Sequence, residues 1–181
     1  GHSTRVYDND VHENNTENFA APGTAVSGVP KGSGILINSN DKVEIFENRI
    51  RNNDTANILV SSYYSVNYAG QRELAEEFDP FPEDIYIYNN EMSGSGRAPG
   101  RDYLVAVRDA VYGADGALPD IIWDGIVNPD NDATKPVICV EDVSAELLNI
   151  DAANEFANPS VDMTRHACQV QKLVPVTLGA E

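Results

Sequence analysis

The chain has 181 residues, 41% of them apolar, and 12 Lys plus Arg stand against 29 Asp plus Glu, for a formal charge of −17. That length and apolar share suit a single domain able to bury a core, and they exclude a disordered tail. The acidity repels nucleic acid and anionic lipid with no basic cluster to offset it, and no apolar run approaches the ~18 residues of a membrane-spanning helix.

Read along the chain, the apolar pattern is that of short strands. The first surrounds Val6. Residues 15–33, with Pro22-Gly23 and Pro30, form a long loop. Ile35-Leu36-Ile37, Val43-Glu44-Ile45 and Ile58-Leu59-Val60 follow as strands, separated by Asn, Asp, Gly and Ser, the residues that turn a backbone. Residues 62–83 form a second long loop with one helical turn expected over 71–78, and both loops are expected on one flank. Ile85-Tyr86-Ile87 is the next strand. The GSGRAPG run of 94–100 lacks the Lys and the helix N-terminus of a phosphate loop, and reads as a turn. Residues 103–111 fit either a helix, through Leu104, Val107 and Val111, or a strand, through Leu104-Val105-Ala106-Val107. Ile121-Ile122-Trp123 and Val137-Ile138-Cys139-Val140 read as the last strands. The chain therefore divides into strands over 1–140, with insertions at 15–33 and 62–83, and a cap of little regular structure over 141–181.

An internal repeat organises these strands. Residues 5–14, 44–53 and 86–95 share the pattern apolar-x-x-Asn-x-apolar-x-x-(Asn/Ser), and Gly34-Ile35-Leu36-Ile37 recurs as Asn57-Ile58-Leu59-Val60. A unit of roughly 22 residues with such short strands cannot bury its apolar face alone and must stack on copies of itself, which is the logic of a parallel β-solenoid. Ile35–Ile37 and Ile58–Val60 should then pair parallel and in register. Asn9, Asn48 and Asn90 are expected at the corners, where Asn tolerates left-handed backbone angles, as a hydrogen-bonded ladder.

Cys139 and Cys168 belong to no CxxC or CxxCH motif, so zinc-ribbon and c-type haem attachment are excluded. An even count suggests one disulfide, pinning the tail across the last coil with Phe156, Val170, Leu173 and Val176 packed on the final layer. No HExxH, GxSxG or Walker A motif occurs. Asn128, Asp130 and Asp132 place oxygen ligands at alternating positions that suit calcium. Ala133 at the sixth position and Cys139 at the twelfth exclude an EF-hand. Glycoside hydrolysis needs two carboxylates about 5–10 Å apart, and Asp79, Glu83 and Asp84 are the neatest cluster. Tyr63, Tyr64, Tyr86 and Tyr88 offer amphipathic faces on which sugar rings stack, with Tyr7, Tyr86 and Tyr88 expected to face solvent on successive coils. Arg49, Arg51 and Arg72 are the cations that would serve an acidic glycan.

Residues 14–37 (NNTENFAAPGTAVSGVPKGSGILI), 79–93 (DPFPEDIYIYNNEMS) and 120–126 (DIIWDGI) resemble one bacterial group, the exported "parallel β-helix domain-containing protein" family, whose function is unknown. More broadly, the chain is similar to the right-handed parallel β-helix proteins with pectate-lyase-like coils, over nearly its whole length. The resemblance implies an all-β, right-handed parallel β-helix and export to the periplasm or beyond the cell. Its members are often encoded beside a diheme c-type cytochrome, which implies a c-type cytochrome or another exported protein as partner. They carry further coils ahead of this point, so the chain is expected to be the C-terminal coils of a longer protein, its first strand stacked on missing coils or on another chain. The leading expectation is a non-enzymatic binding or scaffold protein, with polysaccharide among its ligands. The alternative is a polysaccharide lyase or epimerase acting on acidic polysaccharide, with Arg49 and Arg51 as cations and tyrosines as bases.

Overall fold

The computed structural model describes residues 1–65, 74–132, 134–142 and 144–175. Its strands are β1 (His2–Tyr7), β2 (Asp10–His12), β3 (Ser33–Asn38), β4 (Asp41–Phe46), β5 (Arg49–Arg51), β6 (Ala56–Ser61), β7 (Glu83–Tyr88), β8 (Glu91–Ser93), β9 (Ile121–Trp123), β10 (Ile138–Val140) and β11 (Leu147–Asn149), with helix α1 (Asp102–Tyr112) between β8 and β9. They build three sheets, β1-β4-β7-β10, β2-β5-β8 and β3-β6-β9-β11, and all their strand pairings are parallel. The chain visits the first, second and third sheets in rotation through β9, and the last circuit passes from β10 of the first sheet directly to β11 of the third, so each strand's neighbour lies one circuit away. Ile35, Leu36 and Ile37 stand opposite Ile58, Leu59 and Val60, parallel and in register.

A bare circuit takes 23 residues, as between Asn38 and Ser61. Insertions lengthen the others, to 39 residues between Asn9 and Asn48 and 42 between Asn48 and Asn90. The insertions do not share a flank as expected. The segment between β2 and β3 leaves the corner from second to third sheet, together with α1, where Arg101 donates to Ser27 and Val29 carbonyls. The segment between β6 and β7 leaves the corner from third to first sheet, as does that between β9 and β10. The reason is the count of strands since the last circuit closed, which local sequence does not display.

Inward side chains stack in columns. Val6, Ile45, Ile87 and Val140 form one, and Ile35, Ile58, Ile121 and Leu147 another, filling the space between the sheets. Burying each aliphatic side chain contributes about 1.5–3 kcal/mol, and only stacked neighbours supply that burial. The outer side of the third sheet is covered by α1, whose Leu104 and Val107 pack with Leu59, Ile122 and Leu148. Residues 103–111 are therefore helical, and their apolar stripe lies on the sheet.

At the corners the left-handed residues are Asp8, Glu47 and Asn89, with φ of 56°, 54° and 53°, each preceding a ladder Asn. The ladder Asn residues thus do not supply the left-handed turn themselves. They satisfy it. The Asn9 backbone N–H and Nδ2 donate to Asn48 Oδ1 at 3.2 and 2.8 Å, and the same groups of Asn48 donate to Asn90 Oδ1 at 3.1 and 2.9 Å. Asn14 and Asn53 repeat the arrangement at the next corner.

Residues beyond 140 are more integral than a cap. Strand β11 completes the third sheet with Leu147 and Leu148 buried, so the stacked layers run through Asn149. The segment after it closes the end: Asn149 and Ser160 exchange backbone hydrogen bonds, Val140 donates to the His166 carbonyl, and Met163 packs on the core. This removes free edge groups from the last layer. The disulfide Cys139–Cys168 forms, with S–S 2.07 Å. Beyond it, residues 169–175 turn down the outer face of the first sheet. Leu173 therefore sits beside Glu44 rather than on the final layer, whereas Phe156 packs against the cluster that includes Leu148 and Ile150 and stacks on Tyr103 at 4.9 Å; Val176 lies outside the described residues. No helix among the described residues is long and apolar enough to cross a membrane.

Candidate functional site

The corner from third to first sheet gathers the polar and aromatic residues that the regular layers cannot hold. In the first circuit it is a tight turn at Ser39-Asn40; in the second and third it is enlarged by the segments between β6 and β7 and between β9 and β10. A rigid stack that offers variable loops at one corner is a common way to position a site. Asp124, 2% exposed, ties the two loops together: it accepts from the Ser62 backbone N–H at 2.6 Å and from that of Ile126 at 3.0 Å. Burial pushes its carboxyl above the usual range, while those N–H donors oppose the shift. Gly125 holds φ of 81°, a conformation that strains an L side chain, and a Cβ there would press on the Asn149 side-chain amide.

Three features lie on this corner. Tyr63, Tyr64, Phe78 and Phe81 form an aromatic cluster, with Tyr63–Phe78 centroids 5.4 Å apart and Tyr64–Phe81 5.6 Å; Tyr64 is 56% exposed and Phe78 40%. Asp41, Asp79 and Glu83 bring one carboxylate oxygen each within 4.8 Å of one another. Burial, then the charges of Asp79 and Glu83, raise the Asp41 carboxyl from an ordinary 3.8 to about 6, against the lowering effect of the Gly1 amino group. The third feature is a cleft of about 540 Å³ between the 125–137 segment and the closing segment, with Trp123, Lys135, Arg165 and His166 in its wall. Glu83 faces both the triad and the cleft, where Asn128 and Asn131 donate to its Oε1 at 2.9 and 2.5 Å.

Native proteins pair almost every buried polar atom, so exceptions call for a reason. Among the described residues two buried side-chain atoms have no partner, Asp41 Oδ1 and Trp123 Nε1, and both belong to this corner.

The residues singled out from the sequence divide accordingly. Tyr63 and Tyr64 are on the corner. Tyr86 and Tyr88 are not solvent-facing platforms: they are 3% and 4% exposed, because residues 168–173 cover them, with the Lys172 ammonium 4.0 Å from the Tyr88 ring centroid. Burial, and then its hydrogen bond to Glu141, push the Tyr86 hydroxyl well above its usual pKa. Only Tyr7, 54% exposed, remains open, at the end of a Tyr7–Phe46–Tyr88 stack with centroids 5.0 and 4.9 Å apart. Arg49 and Arg51 sit on the second sheet, paired with Glu91 and Asp10 of adjacent layers, and do not approach the tyrosines. Arg72 and residues 71–73 of the expected helical turn lie outside the described residues; 74–78 form a turn closed by the Phe78 N–H on the Ala75 carbonyl.

Asn128 and Asp132 of the expected calcium loop line the cleft. Asn128 Oδ1 accepts the Asp130 N–H and Asp132 Oδ1 accepts both Thr134 groups, so these atoms shape turns in the cleft wall. Among the described residues the acids that converge are Asp41, Asp79 and Glu83, with Asp84 adding its charge from nearby. Asp41 was invisible as a member because it lies one circuit away, opposite Glu83 in the β4–β7 register. Trp123 is a core strand residue, as the Ile121-Ile122-Trp123 run predicts, and it also lines the cleft because it ends β9 below the closing segment.

Compared with protein-family models, with curated proteins and with solved structures, the chain matches none.

Proposed function

We propose that this chain is an exported right-handed parallel β-helix that acts as a non-enzymatic glycan-binding protein, with its ligand surface on the corner from third to first sheet. The three parallel sheets visited in rotation support the β-helix reading, and parallel crossovers are right-handed in about 98% of cases. A disulfide persists in oxidising compartments, which supports export. The observation that carries the function is the convergence, on one corner, of the partnerless atoms Asp41 Oδ1 and Trp123 Nε1 with the exposed Tyr64 and Phe78. Aromatic faces take the C–H side of a sugar ring and buried polar atoms take its hydroxyls. A c-type cytochrome partner and bound calcium stand as implications of the family resemblance and of the acidic loop.

A second reading, a carbohydrate-active enzyme, is favoured by Asp41 being held near 6 beside two further carboxylates, the pattern of an acid paired with a base or nucleophile. Acidic polysaccharide is the weaker substrate, because Arg49 and Arg51 are paired and distant. A glycan array run beside assays for reducing ends and for unsaturated uronate separates the readings. Retention of glycans without product supports a binding protein. Release of either product contradicts it.

A further inference from the structure

We infer that the cleft beneath the closing segment binds a neutral disaccharide unit, with the Trp123 Nε1–H donating to one of its oxygens. The inference rests on the glycan-binding reading and assigns it a second, recessed subsite beside the aromatic cluster. At about 540 Å³ the cleft falls within the roughly 300–1,000 Å³ typical of small-molecule sites. Trp123 is 6% exposed and its buried Nε1 has no partner among the described residues, although Trp N–H groups normally find an acceptor when buried.

The wall then selects the ligand's charge. Asn128 and Asn131 both donate to Glu83 Oε1, which fixes that carboxylate and leaves Oε2 as an acceptor. Asp132 Oδ1 is likewise held by the Thr134 N–H and hydroxyl, which keep its carboxyl below the usual range and so ionised at neutral pH. Lys135, on the same wall, supplies donors of the opposite sign. A hydroxyl donates and accepts, so a polyol meets acceptors and donors alternating around the cleft. A bare anion meets the carboxylates of Glu83, Asp84, Asp132 and Asp162, and a bare cation meets Lys135 and Arg165. The neutral sugar is the class that meets no like charge.

Trp123 is the only tryptophan of the chain, so its emission reports this cleft alone. The experiment titrates the whole protein with cellobiose, maltose and N,N′-diacetylchitobiose, and with digalacturonate as the acidic comparator, following tryptophan fluorescence and calorimetry together. The expected result is saturable binding of a neutral disaccharide that shifts the Trp123 emission. Lys135→Ala, an exposed position, and Trp123→Phe read by calorimetry should each weaken it about tenfold or more, the loss of one hydrogen bond to a charged or buried group. Neutral-sugar binding that leaves Trp123 emission and the Lys135→Ala affinity unchanged overturns the cleft assignment while leaving the glycan-binding reading intact. A shift with digalacturonate alone overturns the neutral class, and no binding of any of the four overturns both.

Discussion

The Leu173 backbone N–H donates to Glu44 Oε1 at 2.6 Å across 129 residues of sequence. Glu44, outward-facing on β4 yet 4% exposed, also holds Arg5 Nε at 2.8 Å. The final segment thus runs across the strands of the first sheet: Cys168 meets Cys139 of β10, Lys172 lies over Tyr88 of β7, Leu173 reaches β4, and Arg5 of β1 donates to the Leu173 and Val174 carbonyls. One strap spans four successive layers.

The disulfide anchors that strap, so its reduction should release it. With the cysteines 29 positions apart the cross-link constrains the unfolded chain by about 3–4 kcal/mol. Limited proteolysis under reductant should cut within 169–175 first and expose Tyr86 and Tyr88, while β3 to β6 stay protected. Equal resistance of the segment with and without reductant would show that its other contacts suffice.

The Asn ladder makes unequal demands on its members. Asn48 is 2% exposed and its Nδ2 serves the Val6 and Phe46 carbonyls and Asn90 Oδ1, each at 2.9 Å. Asn48→Ala should cost about 2–4 kcal/mol in urea denaturation, because buried carbonyls lose their donor. Asn9→Ala, at the exposed end of the ladder, should cost about 1 kcal/mol or less.

Asp41 predicts a pH dependence of definite sign. Its carboxyl is raised in the folded state from 3.8 to about 6, so between those values the native state binds more protons than the unfolded one, and stability falls as pH rises through the window. Because the side chain is only half-buried, solvent screening reduces the effect to about 1 kcal/mol. Asp41→Asn should flatten this slope and be more stable than the parent at pH 7 in thermal denaturation. A variant with the parent's slope would place the raised titration elsewhere.

How much of this was legible in the sequence follows from range. The three aligned segments carry the register of Val6 on Ile45 on Ile87, and the Asn9, Asn48 and Asn90 ladder, because each position repeats its own local chemistry. Tyr86 and Tyr88 read as solvent-facing by alternation, and they are outward. What buries them is a segment more than eighty residues further on, which no periodicity announces. The triad was half legible: Asp79 and Glu83 are near in sequence, whereas Asp41 joins through strand pairing. Trp123 looked like core, and its unpaired Nε1 depends on where the closing segment falls.

The most direct test of the central claim is calorimetry of a neutral glycan against the parent chain and against Tyr64→Ala and Phe78→Ala. Both side chains are exposed, so the variants should melt as the parent does. Glycan binding at the corner predicts a loss of affinity of about tenfold for each, from the removed aromatic face. Parent-like affinity in both variants, with unchanged melting, would contradict it.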